Sequence, residues 1–286
     1  MNKRPGFAII LGMSNYKTFV IGFPRIGSKR ELKFAEEKYF AEPSSASELK
    51  ETAKTLRAYG WKKQRDAGID LIPSNDFSYY DNTLDAAVML GAVPERYKAL
   101  GLNALDTYFA MAHGYQGTKG DVKALPMKKW FNTNYHYIVP ELDGVSKIKL
   151  DAGKILDEFA EAKNIGIETV PSVIGPYTFL KFATYADNKT RDDYKEAVAS
   201  AYKELLAQVH SAGAEWIFIA EPALVFDTDS KSVQFFESLY KEILAEKKVK
   251  VNLQTYFGDI RDSYDAVTGL GFDGIGLYFV EGKETL

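Results

Sequence analysis

The stretch Trp216-Ile217-Phe218-Ile219-Ala220-Glu221-Pro222-Ala223-Leu224 decides the fold. Its first five residues are apolar without alternation, which marks a short strand covered on both faces, as in a parallel sheet packed by helices. Glu221-Pro222 ends the run at the strand's carboxyl end. Working outward, the pattern repeats. Downstream, helical segments over residues 232–246 and 262–270 alternate with strand-like runs over 249–257 and 274–280. Upstream lie a long helix over 191–212 that stops at Gly213, a strand over 169–174, and a helix over 152–163 with Ile155, Phe159 and Ala162 on one face. Before these come an aromatic, β-prone run over 130–139, a helix over 83–90, and a strand over 69–73. A helix over 47–67 precedes them, with Leu49, Ala53, Leu56 and Tyr59 at helical spacing. No Gly/Ser linker or low-complexity tract interrupts the alternation, so the pattern predicts one α/β domain around a parallel sheet.

The length of 286 residues suits a (β/α)8 barrel. Candidate strands begin at residues 18, 69, 131, 169, 216, 249 and 274. A closed barrel needs one more. The expected fold is therefore a TIM-type barrel over residues 17–286, truncated before its last strand, with residues 1–16 as an N-terminal extension and a candidate for disorder. Lys3 and Arg4 before Phe7-Ala8-Ile9-Ile10-Leu11 loosely imitate a signal peptide, but the apolar part is short.

Composition narrows the function classes. A net charge of −3 and ordinary proportions of hydrophobic (46%) and charged (26%) residues give no general nucleic-acid surface. No apolar run is long enough to span a membrane. The chain has no cysteine, which removes disulfides and thiolate chemistry and is compatible with a cytoplasmic location.

In a parallel barrel, function gathers at the carboxyl ends of the strands. Residues 22–27 follow the first strand and 75–81 the second, while Gly175-Pro176 and Glu221-Pro222 follow later ones. Gly and Pro at strand ends also simply make turns. The first of these segments, Gly22-Phe23-Pro24-Arg25-Ile26-Gly27-Ser28-Lys29-Arg30-Glu31-Leu32-Lys33, leads into a helix. Ser28 and Glu31 have capping-box spacing, which predicts a helix start at Lys29. Lys29, Arg30 and Lys33 then oppose the helix dipole. They either hold an anion there or form a solvated basic helix start. Lys62, Lys63 and Arg65 read as a solvated helix face. Asp76, Asp81 and Glu221 are candidate cleft residues; for the two aspartates, an acid/base role competes with hydrogen-bonding of the loop. His113, His136 and His210 are widely scattered, which argues against a zinc site in this chain.

The motifs together resemble the N-terminal domain of cobalamin-independent methionine synthase. The blocks are residues 22–33; Ile72-Pro73-Ser74-Asn75-Asp76-Phe77-Ser78-Tyr79-Tyr80-Asp81; Gly91-Ala92-Val93-Pro94-Glu95-Arg96-Tyr97; and Tyr108-Phe109-Ala110-Met111-Ala112-His113-Gly114. They continue with residues 129–141 (KWFNTNYHYIVPE), the most specific block, then Gly175-Pro176-Tyr177-Thr178-Phe179-Leu180 and Glu221-Pro222-Ala223-Leu224. The resemblance spans about 270 residues in order. It implies a barrel that binds the polyglutamate tail of 5-methyltetrahydrofolate through Arg30, Glu31, Leu32, Lys33 and Lys129. It also implies methyl transfer to homocysteine by a zinc ion held in a separate catalytic half, absent here, with no cofactor in this chain. Three positions depart from the family pattern: Ala220 for Asp, His113 for Arg, and Lys128 for Thr. A stand-alone barrel lyase or hydrolase and a non-catalytic remnant are the competing readings.

Overall fold

The structure is a computed structural model that describes residues 17–41, 45–280 and 282; the expected N-terminal extension lies outside them. Helices α1 (Glu31–Ala41) and α2 (Ala46–Asp66) precede the first strand, β1 (Pro73–Ser74). Three helices follow: α3 (Asn82–Met89), α4 (Glu95–Lys98) and α5 (Ala104–His113). Next come two small hairpins, β2 (Tyr115–Gly117) with β3 (Gly120–Val122) and β4 (Met127–Lys129) with β5 (His136–Ile138). The chain continues through β6 (Glu141–Leu142), α6 (Gly153–Asn164), β7 (Val170–Ile174), α7 (Pro176–Phe182), β8 (Thr184–Tyr185) and α8 (Arg191–Ser211). It closes with β9 (Trp216–Ala220), α9 (Ser230–Leu244), β10 (Lys250–Gln254), α10 (Tyr264–Gly269) and β11 (Gly274–Gly276).

The central sheet runs β1-β7-β9-β10-β11, and every pairing in it is parallel. A single parallel bridge, Phe19 to Leu71, continues it toward the first motif. This is the α/β barrel architecture in incomplete form. β9 sits at its centre because Ile217, Phe218, Ile219 and Ala220 are all buried, so helices cover both faces. The core falls into two main clusters. One packs β7, β9 and β10 against α6 through α9, and the other joins α1, α2, α3 and α5. The start of α8 is fixed by a reciprocal capping box between Thr190 and Asp193.

Two expectations fail. The aromatic run over 130–139 is not a barrel strand. Residues 131–135 form the turn of the β4–β5 hairpin, and Trp130 N–H closes it on the Tyr135 carbonyl at 2.8 Å. Local pairing satisfies this backbone, leaving the aromatic rings to pack over the barrel. The first helix begins at Glu31 rather than Lys29. Gly27 (φ 83°) and Arg30 (φ 62°) are both left-handed, and Arg30 N–H closes a turn on the Gly27 carbonyl, so helical geometry cannot start earlier.

Candidate functional site

Two loops at the carboxyl side of the sheet are laced together. Arg25 donates through one guanidinium nitrogen to the carbonyls of Ser78 and Tyr79, both at 3.0 Å, and through the other to Tyr80 at 2.7 Å. The Asp76 carboxylate accepts from Phe23 N–H at 2.8 Å. Gly60 of α2 makes room for the Phe23 ring, since a Cβ there would stand 3.0 Å from it. Glu31 turns its carboxylate back to accept from Lys29 N–H at 2.9 Å, directly beneath Gly27. Neither bond of the expected Ser28–Glu31 capping box is made: Glu31 meets the N–H one residue past Ser28, and the helix starts two residues later than Lys29. Leu32 is fully buried, whereas Lys29, Arg30 and Lys33 are exposed. Lys33 pairs with Glu37 at 3.3 Å. Lys129 is exposed on β4, opposite His136. Its hairpin meets the same loop, because Tyr80 O–H donates to the Met127 sulfur at 3.1 Å.

Beneath the second loop lies a charge network that sequence reading missed. Arg57 of α2 forks onto Glu161 of α6, at 2.6 and 3.3 Å, and stands 3.8 Å from Glu158. Lys154 contacts Glu158 at 3.1 Å, Asp85 at 3.3 Å, the Asn75 side-chain oxygen at 2.8 Å and the Phe77 carbonyl at 2.7 Å. Asp85 also accepts from Ser78 and Tyr108 hydroxyls, each at 2.8 Å. Glu158 accepts from Asn75 N–H at 3.1 Å, which holds Asn75 in its left-handed conformation. Burial penalises the Lys154 ammonium, yet Asp85 and Glu158 hold its pKa above the ordinary lysine value. Burial raises Glu158, with Lys154 and Arg57 opposing. The spacing of Lys154, Glu158 and Glu161 on one helix face was visible in sequence, but it has the pattern of a solvated ion-pair stripe.

The three candidate acids serve different ends. Burial pushes Asp76 up to about 6, against the N–H of Phe23. Asp81 caps α3, accepting from Thr83 and Leu84 N–H at 2.8 Å each, and its other oxygen accepts from Ile138 N–H at 2.9 Å. Burial pushes it up to about 6 as well, with those three donors opposing. Glu221 is fully buried. It accepts from Tyr177 N–H (2.9 Å), Thr178 N–H (2.7 Å), the Thr178 hydroxyl (2.6 Å) and the Tyr240 hydroxyl. Asp81 and Glu221 thus spend their oxygens on backbone and buried hydroxyl donors, and only Asp76 lines the cleft.

That cleft, of about 1360 Å³, opens where the motif loops meet the strand ends. Ile21 to Pro24, Asn75 to Phe77, Tyr79, α3, α6, Trp130, Ile174, Ala220 and Gln254 border it. Arg30, Lys33 and Lys129 are not among its lining residues. The zinc implied by the family resemblance does not fit the residues present. The chain has no cysteine. The His113 ring packs edge-on against Phe40 and Tyr80. His136 and His210 are exposed on β5 and α8. Among the described residues, no group of three His, Cys, Asp or Glu is placed to hold a metal.

Fold and motif together define a barrel module whose strand-end loops carry the distinguishing residues. Comparison with known proteins names the family. The profile of the cobalamin-independent synthase N-terminal domain matches residues 17–286, and the chain belongs to that family. It is 55% identical over 271 residues to a 5-methyltetrahydropteroyltriglutamate–homocysteine methyltransferase of Lactococcus lactis subsp. cremoris SK11, covering 94% of this chain and 36% of that protein. The protein of the same name from Bifidobacterium adolescentis is 55% identical over 273 residues, covering 93% of this chain and 36% of the relative. The chain thus spans about a third of the length of these relatives. Among solved structures, a vitamin-B12 independent methionine synthase from Listeria monocytogenes superposes with a TM-score of 0.60 at 15% identity, covering 92% of this chain and 74% of that one. One from Shewanella sp. W3-18-1 gives 0.55 at 15% identity over 79% of this chain and 58% of that one. At that identity the likeness is one of fold. Among the described residues, no helix is long and apolar enough to cross a membrane.

Proposed function

We propose that this chain is the folate-tail-binding part of a methyltransferase that makes methionine from homocysteine. The observation that carries this reading is membership of the family at 55% identity to proteins named for a triglutamate substrate, together with an exposed cation set at the start of α1. Arg30 would take one γ-linked carboxylate in a bidentate pair, while Lys33 and Lys129 act as point charges. Glu31 braces the loop through Lys29 N–H, and Leu32 anchors the helix in the core. A separate catalytic domain would hold the zinc and activate the homocysteine thiol. The reading makes the protein cytoplasmic, with no nucleic-acid or membrane partner.

Each exposed pair contributes about 1 kcal/mol or less, so affinity is modest and salt-sensitive. The test is calorimetric titration of the chain with 5-methyltetrahydrofolate triglutamate at low salt, with the monoglutamate as control. The triglutamate should bind more tightly, and Lys33→Glu and Lys129→Glu should each weaken it several-fold without loss of fold. Equal binding of the two folates, or unchanged binding by both variants, refutes the assignment.

A further inference from the structure

The cleft has a character opposite to that of the α1 surface. Its wall carries seven acidic side chains against four basic ones. The two basic groups at its floor, Arg57 and Lys154, are already engaged by Glu161, Glu158 and Asp85. Asp76 adds a further carboxylate beside Glu158, and one of its oxygens is bound by Phe23 N–H. With Lys50 and Lys54 also on the wall, the lining keeps an excess of three carboxylates over cations. Low-dielectric walls around a cleft of one sign focus its field onto a ligand of the other.

Those walls are aromatic. Tyr79 and Tyr108 meet edge-on on one side, with centroids 6.4 Å apart. Trp130, Tyr135, Tyr256 and Phe257 border the same cavity. Aromatic faces attract cations and flat apolar bodies and offer nothing to a carboxylate. Asn75 (φ 61°) and Phe257 (φ 75°) are both left-handed non-glycine residues on the cleft wall. Such conformations cost of order 1–3 kcal/mol each and collect at ligand clamps.

We propose that this cleft binds an organic cation, an ammonium group carried on a flat apolar body, as a site separate from the exposed cations of α1 and β4. The aromatic walls hold the body, and Asp76, backed by the net negative charge of the lining, attracts the ammonium. A polycarboxylate is repelled from this space and stays on the outer surface. Burial pushes Asp76 up to about 6, with the nearby Glu158 adding to the rise, so it is ionised at pH 7.5.

The test uses the full chain and three indoles of one shape: tryptamine, the neutral alcohol tryptophol, and indole-3-acetate, each titrated by calorimetry at pH 7.5 and low salt. Tryptamine should bind at least tenfold tighter than tryptophol, and indole-3-acetate weakest of all. Asp76→Asn keeps an acceptor for Phe23 N–H and should cut the tryptamine advantage several-fold, while Trp130→Ala should weaken tryptamine and tryptophol alike. Saturating folate triglutamate should leave tryptamine binding unchanged. Tryptophol binding as tightly as tryptamine, no binding of any indole by a chain with intact circular dichroism, or displacement of tryptamine by the triglutamate would each overturn the proposal. Apart from the competition with the triglutamate, none of these results depends on whether the triglutamate binds at α1.

Discussion

Asp81→Asn is the most discriminating change the fold offers, because the two oxygens of Asp81 do different work. One caps α3 through Thr83 and Leu84 N–H, and the other holds Ile138 N–H of the β4–β5 hairpin at 2.9 Å. Asparagine is as good a helix cap as aspartate. Its amide oxygen can keep the first pair of bonds, which puts its NH2 group against the Ile138 N–H, donor facing donor. Ile138 is fully buried, so that N–H has no water to turn to. An unsatisfied buried donor costs about 1–3 kcal/mol. Asp81→Ala loses the same bond and the cap, a further loss of about 1 kcal/mol. Burial penalises the Asp81 carboxylate and pushes it up to about 6, so both neutral variants recover part of that penalty at pH 8. The expected order in urea unfolding at pH 8 is parent, then Asn lower by about 1 kcal/mol after that offset, then Ala lower by about 2. For a chain of this size the Asn variant should melt roughly 2–4 °C below the parent. An Asn variant as stable as the parent, or more stable, would refute the argument, since the hairpin would then not hang on a carboxylate oxygen. So would equal losses for Asn and Ala, which would leave the cap without effect.

Further outcomes follow from the same geometry. Gly175→Ala puts a Cβ 2.1 Å from a Glu221 oxygen and 2.2 Å from its carboxyl carbon. Because that carboxylate is fixed by four donors, the variant should lose more than about 3 kcal/mol or fail to fold, as read by soluble yield and thermal melting. Gly27→Ala meets both a left-handed φ and the Glu31 carboxylate, and should cost about 1–2 kcal/mol while weakening triglutamate binding. Glu36 gives a pH effect of definite sign: one of its oxygens is buried without a hydrogen-bond partner, and burial pushes its pKa up to about 7, against the pull of Arg25. The fold therefore holds this proton more tightly than the unfolded chain does, and stability is lost as pH rises from about 4.5 to 7. Glu36→Gln should remove that slope and stabilise the chain at pH 8 by about 1 kcal/mol, a figure reduced for the group's partial exposure; a variant with the parent's pH profile would contradict it.

The barrel was legible because apolar strand runs and amphipathic helices recur without a break, and β9 behaves as its pattern requires. The aromatic block misled for a physical reason. Rings at Trp130, Phe131, Tyr135 and Tyr137 have strand propensity, but propensity does not say which strand is the partner. The local hairpin between β4 and β5 satisfies this backbone at short range. The start of α1 was misjudged by two residues because left-handed Gly27 and Arg30 together make a turn that capping spacing alone does not reveal. The polar network escaped altogether. Arg57 and Glu161 are 104 positions apart, and Asn75 and Glu158 are 83 apart. Burial, which turns surface ion pairs into loop supports, has no local sequence signal.

These misses explain one another. Motif residues 22–27 and 75–81 were each read as site candidates because both follow strands, yet their side chains mostly hold the loops together: Arg25 on three carbonyls, Asp76 on Phe23, and Asp81 on the hairpin. The loops are therefore a rigid frame, and what they present outward differs by face. The α1 side offers exposed cations. The cleft side offers aromatic rings over an excess of carboxylates. If both proposed sites hold, ligands of opposite charge would be sorted by a frame only two loops thick. Loosening that frame at Arg25 should disturb both faces together, whereas Lys33→Glu should disturb only one.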